Sequence, residues 1–311
     1  RPPPIHSRTY SLDELVGPKS KHQLRLVEWD GRTPTPLVDE DDRVFAVLAG
    51  QPDDPSWKDV HASAVEALDE ARHNVNWRKQ GPNQRGRFQV LNCGVSFGGG
   101  QKHPMNTAHD NSTKAILAVL LAHIAIIRIA HFASAVFATW APRLHKRYSD
   151  CLTALLAYDG SLTRNFAASV WASVALNFGP QTVTYRHRDS QNIPYGWCAI
   201  TALGYFNHLL GGHLVLWDLK LVIQFPPGST ILIPSAVVEH SNTTIARHET
   251  RYSITQFSAG GLFRWVDQGF QLQDDFLTSL SEEERDAYMQ RHSQHWAEGL
   301  GYFSTLDEIN T

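Results

Sequence analysis

The segment Tyr185-Arg186-His187-Arg188-Asp189 carries the sharpest chemical signal in the chain. In an extended backbone residues i and i+2 point to the same side, so His187 and Asp189 can offer one imidazole and one carboxylate to a single metal ion. Alone the pair is weak, because sixteen histidines beside thirty-one acidic residues produce such a spacing by chance and a solvated strand end explains it. A third ligand follows downstream. The tight turn Pro226-Pro227-Gly228 leads into the apolar run Thr230 to Ile233, and His240 stands in the loop after it. Two imidazoles and one carboxylate leave three adjacent positions open on a six-coordinate ion, the arrangement that suits a non-haem Fe(II) oxygenase. Two positions fit the keto and carboxylate oxygens of 2-oxoglutarate, and the third fits O2.

Eleven residues beyond His240 comes Arg251-Tyr252-Ser253, at the start of another strand candidate. Arg251 and Ser253 share a face, so a guanidinium fork and a hydroxyl can grip the distal carboxylate of 2-oxoglutarate together. A surface ion pair is the plain alternative for Arg251. A zinc hydrolase would lack the trailing Arg-x-Ser and would need a separate general base, which is not evident.

These residues must be positioned by strands. After Asn165 short β-type runs recur: Ser169 to Phe178, Thr182 to Tyr185, Cys198 to Phe206, Leu214 to Trp217, Leu221 to Phe225, Thr230 to Ile233 and Tyr252 to Phe257. Such spacing predicts an antiparallel barrel or sandwich. Upstream, Val44 to Leu48 reads as a strand and Ser56 to Asn74 as a helix. The stretch from Lys114 to about Tyr158 reads as two helices broken at Ala141-Pro142,. Ser281 and Glu284 form a capping-box pair opening a C-terminal helical segment that ends near Gly299 or Gly301,. The expected layout is one domain over 1–311: a helical and loop-rich part over 1–165, the β core over 166–265 and a helical segment over 266–311.

Composition sets the background. The formal net charge of −3 and pI of about 6.6 give no global attraction to a polyanion. Cys93, Cys151 and Cys198 lack any CxxC spacing, which points to a reducing, intracellular setting,. No charged segment followed by an apolar one suggests secretion. The longest apolar stretch, Ala115 to Trp140, contains His123, Arg128 and His131, so a soluble core helix is expected and no membrane partner,.

Local charge differs. Between Arg72 and His109 stand Arg72, Arg78, Lys79, Arg85, Arg87 and Lys102, with no acidic residue. Interleaved Asn, Gln, Gly and aromatic residues suit phosphate contacts, which makes Arg85, Arg87 and Lys102 candidate DNA contacts. Gly98-Gly99-Gly100 fits no dinucleotide or phosphate-loop pattern, but Gln101 and Asn106 beside it can hydrogen-bond a base,. A polar turn explains them equally. Arg143, Lys146 and Arg147 form a second, weaker basic cluster that helix-dipole compensation also explains,.

The run His187-Arg188-Asp189-Ser190-Gln191-Asn192, together with Gly212-His213-Leu214-Val215-Leu216, His240 and Arg251-Tyr252-Ser253, resembles the TET and J-binding-protein family of Fe(II)/2-oxoglutarate-dependent DNA dioxygenases. It looks nearest to the family's mushroom members, and it spans about Gln181 to Phe257. The resemblance implies an α+β fold with a double-stranded β-helix (jelly-roll) core and flanking helices. It implies that Asn192, with Gln191 beside it, contacts the target base, that His213 hydrogen-bonds 2-oxoglutarate, and that Phe257 stacks on a flipped-out base. It departs from the family at Ala259, where animal members have a histidine that reads cytosine, and at Gln191, which replaces another histidine. A roomier pocket that could accept N6-methyladenine as well as 5-methylcytosine follows. The implied partner is double-stranded DNA with methylated bases, the implied location the nucleus, and the expected state a monomer. An oxygenase acting on a protein or small molecule is the alternative.

Overall fold

The computed structural model describes residues 7–80, 83–293 and 295–310, so positions 81 and 82 of the basic segment lie outside the described residues. The N-terminal half contains α1 (Leu12–Leu15), β1 (Arg25–Val27), β2 (Thr35–Val38), β3 (Val44–Gly50), α2 (Trp57–Asn74), β4 (Gln89–Ser96) and β5 (Met105–Asn106). Three helices follow, α3 (Asn111–Ala122), α4 (Ile124–Trp140) and α5 (Pro142–Tyr158). Then come β6 (Ser173–Phe178), β7 (Cys198–Tyr205), β8 (Leu214–Leu216), β9 (Leu221–Ile223), β10 (Thr230–Ile233), β11 (His240–Asn242) and β12 (Thr250–Phe257). The chain closes with α6 (Gly260–Asp267), α7 (Gln273–Ser279), α8 (Glu282–Ser293), α9 (His295–Leu300) and α10 (Leu306–Asn310).

The strands form two sheets, a large one in the order β2-β3-β10-β7-β12-β6-β4-β5 and a small one in the order β1-β9-β8-β11. Their inner faces share one apolar core, in which Leu48, Ala202 and Ile231 of the large sheet meet Leu216 and Ile223 of the small one. From β7 onward the chain visits the large sheet, then the small one for β8 and β9, the large for β10, the small for β11 and the large for β12. This α+β arrangement sets His240, on β11 of the small sheet, against Arg251, on β12 of the large one.

Period-2 alternation on β6 and β12 decides what faces what. Val174, Leu176, Phe178, Tyr252 and Ile254 turn outward into a core shared with Leu68, Ile126 and Ile129 of the helical layer. Each such fully buried side chain stabilises the fold by roughly 1.5–3 kcal/mol. The other face of the same strands, with Asn177, Arg251, Ser253, Thr255 and Phe257, lines a cavity. The helices hold that sheet because their apolar residues recur at three- and four-residue spacing, as Val60, Ala64, Leu68 and Ala71 do on α2,.

The structure corrects the sequence reading at three places. The expected two helices after Lys114 are three, because the chain also breaks at His123, in extended conformation, and bends by 65°. No proline or glycine marks that break; both halves pack against α2, and tertiary packing overrides local propensity,. Thr182 to Tyr185 is no strand but an extended segment held by isolated bridges, Gly86 to Thr184 and His187 to His240. The loop-rich basic section contains β4, which pairs along its length with β6. Among the described residues no single helix is long and apolar enough to cross a membrane, and Ile126, Ile129 and Phe137 of the apolar stretch are buried in the protein core.

Candidate metal and co-substrate site

His187, Asp189 and His240 converge, with one ligand atom from each lying within 4.8 Å of the others. The convergence follows from the backbone. His187 and His240 exchange both main-chain hydrogen bonds, at 3.0 and 2.9 Å, across the bridge between the extended segment and β11. Asp189 is fixed by its own N–H donating to Ser235 O at 2.8 Å.

Both imidazoles are oriented from behind. His187 Nδ1 lies 2.7 Å from Tyr185 O, and His240 Nδ1 lies 2.9 Å from Val238 O. A carbonyl only accepts, so each Nδ1 carries the hydrogen and each Nε2 presents a lone pair to the centre, as a metal ligand must. Burial holds His187 neutral, lowering its pKa to about 3. Burial raises the Asp189 carboxyl, but Arg85 and the two imidazoles outweigh it and keep the group below its ordinary value. Arg85 Nη2 stands 2.7 Å from Asp189 Oδ1, an ion pair without the alignment of a hydrogen bond. Two neutral imidazoles and one carboxylate fit a divalent first-row ion.

Arg251 lies deeper, with 1% of its surface exposed. Its Nη1 donates to Thr182 O at 2.8 Å, while Nε and Nη2 have no partner. Its guanidinium sits between the rings of Phe206 and Phe225, at 5.8 and 5.9 Å from their centroids, and no described acidic residue pairs with it. Desolvation alone pulls its pKa down to about 10. A buried cation with two free donors costs several kcal/mol unless an anion arrives to accept from it. Ser253 lies on the same face of β12, where its Oγ accepts from Asn177 Nδ2 at 3.1 Å.

His213 is fully buried, with Nδ1 2.8 Å from Thr243 Oγ1 and Nε2 unpartnered. Burial lowers its pKa to about 4, and Arg251 adds to the effect. Arg251, with two orphaned polar atoms, lines the cavity, whereas His213, with one, does not.

The metal cluster, Arg251 and Ser253 open into one cavity of about 720 Å³, together with Asn192, Gln191, Phe257 and Arg85. Asn192 Nδ2 donates to Ser235 Oγ at 3.2 Å, and Phe257 ends β12 half-buried at the wall. Of the remaining candidates, Arg87 and Lys102 are exposed and lie outside the cavity wall. Gln101 is held in its hairpin by Ser96 Oγ at 3.5 Å. Asn106 is corrected from base contact to loop tie, since its Nδ2 donates to Ser161 O and its Oδ1 accepts from Thr163 N. Arg72 pairs with Asp69, and Arg143, Lys146 and Arg147 pair with Glu308, Asp150 and Asp267, so these cations are structural. Sequence reasoning missed Asn92, His109, Asn177 and Thr255 in the cavity wall. The pairing of β4 with β6 brings Asn92 there and leaves no local signal, whereas Thr255 follows from the alternation of β12 that already places Arg251 and Ser253,.

No family model and no curated protein matches this sequence. Solved structures do. NgTET1 in complex with 5mC DNA superposes with a TM-score of 0.52 at 16% identity, over 78% of this chain and 84% of that one. An oxidoreductase of the 2OG-Fe(II) oxygenase family from Burkholderia pseudomallei gives a TM-score of 0.35 at 16% identity, over 67% of this chain and 91% of that one. The chain thus has the fold of NgTET1, an α+β fold built on large antiparallel sheets.

Proposed function

We propose that this chain is an Fe(II)- and 2-oxoglutarate-dependent dioxygenase that oxidises methyl groups on DNA bases. The observation that carries the reading is Arg251, a buried, counter-ion-free guanidinium opening into the cavity that holds His187, Asp189 and His240. With both bound, iron and 2-oxoglutarate supply the oxidation: O2 gives one oxygen atom to the substrate as hydroxyl and one to succinate, with release of CO2.

The chain's own residues hold and orient. His187, Asp189 and His240 provide the three ligands, and the Tyr185 and Val238 carbonyls keep both imidazoles turned toward the ion. Arg251 receives the distal carboxylate through its free Nε and Nη2, with Ser253 and His213 beside it. The crossing of the chain between the two sheets supports a double-stranded β-helix core.

A DNA substrate is supported by the exposed Arg78, Lys79, Arg87 and Lys102 and by the sequence resemblance at His187 to Asn192. NgTET1, which shares the fold, is a protein in complex with 5mC DNA. A base within a duplex must be extruded to reach a buried metal, and Phe257 and Asn192 in the cavity wall are the stacking and edge-reading groups,. The small Ala259, bridged to Asn192, supports a site that accepts N6-methyladenine beside 5-methylcytosine. We further infer nuclear residence, which a DNA substrate implies. The test is succinate formation: wild-type protein with Fe(II) and 2-oxoglutarate is expected to make more succinate when methylated duplex is added. Equal succinate with and without DNA would turn the search to a protein or small-molecule substrate.

A further inference from the structure

The cavity has a polar wall that neither the metal ligands nor Arg251 and Phe257 use. Across the large sheet Thr255 pairs with Ala175, and Ala175 with Asn92, so the surface extends from β12 over β6 to β4. Each step is about 4.8 Å. At its far end His109, in the loop between β5 and α3, lines the same cavity as Phe257 and Asn192. About 10 Å of sheet surface, with β6 in the middle, therefore separates β12 from β4.

His109 Nε2 lies 2.7 Å from the Asn92 carbonyl oxygen. Because that oxygen only accepts, Nε2 carries the hydrogen, and in the neutral ring Nδ1 is then a lone-pair acceptor. Three neighbouring donors are already engaged. Thr107 Oγ1 donates to Gly94 O at 3.1 Å, Gln80 Nε2 to Thr113 Oγ1 at 3.3 Å, and Asn83 Nδ2 to Phe88 O at 3.1 Å. His109 Nδ1 adds an acceptor to a wall that also carries the side-chain amides of Asn92 and Gln84.

We propose that His109 is a specificity-determining residue whose Nδ1 accepts a hydrogen bond from the exocyclic amino group of an extruded base, so that the site takes amino-bearing methylated bases and rejects thymine. The inference rests on the DNA-base reading above. Thymine and 5-methylcytosine carry the same C5 methyl, but thymine has a carbonyl oxygen where cytosine has its amino group. Thymine therefore sets two acceptors against each other. N6-methyladenine keeps one N–H and remains acceptable.

The test is a binding measurement made without turnover. Two duplexes carry a single 5-methylcytosine or a single thymine opposite an abasic site, so both bases extrude at similar cost, and anaerobic titrations with Mn(II) and 2-oxoglutarate give the affinity ratio. Wild-type protein is expected to favour 5-methylcytosine by about 10- to 100-fold, the effect of one buried hydrogen bond and one mismatched acceptor pair. His109→Phe brings the ratio to within about twofold of unity, while His109→Gln, whose amide oxygen also accepts, keeps most of it. Failure of wild type to discriminate, or a ratio unchanged in His109→Phe, overturns the proposal. The His109→Gln rescue separates edge reading from general damage to the fold. Absence of any base oxidation sinks the DNA oxygenase reading instead; loss of discrimination in a protein that does oxidise 5-methylcytosine sinks only the role of His109.

Discussion

Replacing Arg251 by methionine separates ligand binding from stability in opposite directions. The guanidinium is fully buried, has a single hydrogen bond to Thr182 O and leaves Nε and Nη2 without acceptors. Two charge-assisted hydrogen bonds to a carboxylate contribute about 1.5–3 kcal/mol each, so Arg251→Met should weaken 2-oxoglutarate by roughly two to four powers of ten. Without 2-oxoglutarate the same change removes an uncompensated buried charge. Burying an unpaired charge costs several kcal/mol, which outweighs the about 1–3 kcal/mol for the Thr182 carbonyl that the change orphans. The ligand-free variant should therefore melt at or above the wild-type temperature. The pH dependence has a definite sign. Burial lowers the Arg251 pKa to about 10, so its charge destabilises the fold below that pH and the cost lifts as pH rises through it,. The advantage of the variant should shrink above pH 10. Thermal unfolding with Mn(II) in place of iron measures both effects. At a hundred times its Kd, 2-oxoglutarate should add about 2.7 kcal/mol to wild type and nothing to the variant. An equal thermal shift in both proteins, or a variant several degrees less stable without ligand, would rule out this role for Arg251.

Charge reversal at Arg87 and Lys102, which are exposed and outside the cavity, should weaken DNA binding regardless of methylation and flatten its log–log salt dependence by about 0.9 per lost phosphate contact,; an unchanged slope in an anisotropy titration would remove these residues from the interface. Asn106→Ala should cost about 1–3 kcal/mol in denaturant unfolding through the lost ties to Ser161 and Thr163, without altering the ratio of activities on 5-methylcytosine and N6-methyladenine,. Ala259→His should reduce N6-methyladenine turnover at least about tenfold relative to 5-methylcytosine by filling space beside Asn192, to which position 259 is bridged,. Equal losses on the two bases would show that position 259 does not sort them.

The metal site was legible because its logic is local. The spacing of His187 and Asp189 and the face shared by Arg251 and Ser253 are properties of extended backbone, and the structure assembles those four residues in one cavity. The alternation of β12 was visible in the same way. What failed was whatever depends on distant pairing. β4 looked like loop because glycine and polar residues interrupt its pattern, and its partner β6 lies some eighty residues away. Arg85 read as a phosphate contact, yet the Gly86 to Thr184 bridge carries it to Asp189. The basic residues on α5 looked available for DNA until the C-terminal segment supplied Asp267 and Glu308.

The central claim is tested most directly by a mass balance. Iron-loaded protein is incubated with 2-oxoglutarate, ascorbate and duplex DNA carrying 5-methylcytosine or N6-methyladenine, and succinate and modified bases are quantified together by mass spectrometry. One succinate is expected for each base oxidation, as 5-hydroxymethylcytosine and its further oxidation products or as adenine with formaldehyde, and neither succinate nor base product from His187→Ala/Asp189→Ala protein. Unmodified DNA beside DNA-independent succinate, or base oxidation that survives the double substitution, would contradict it.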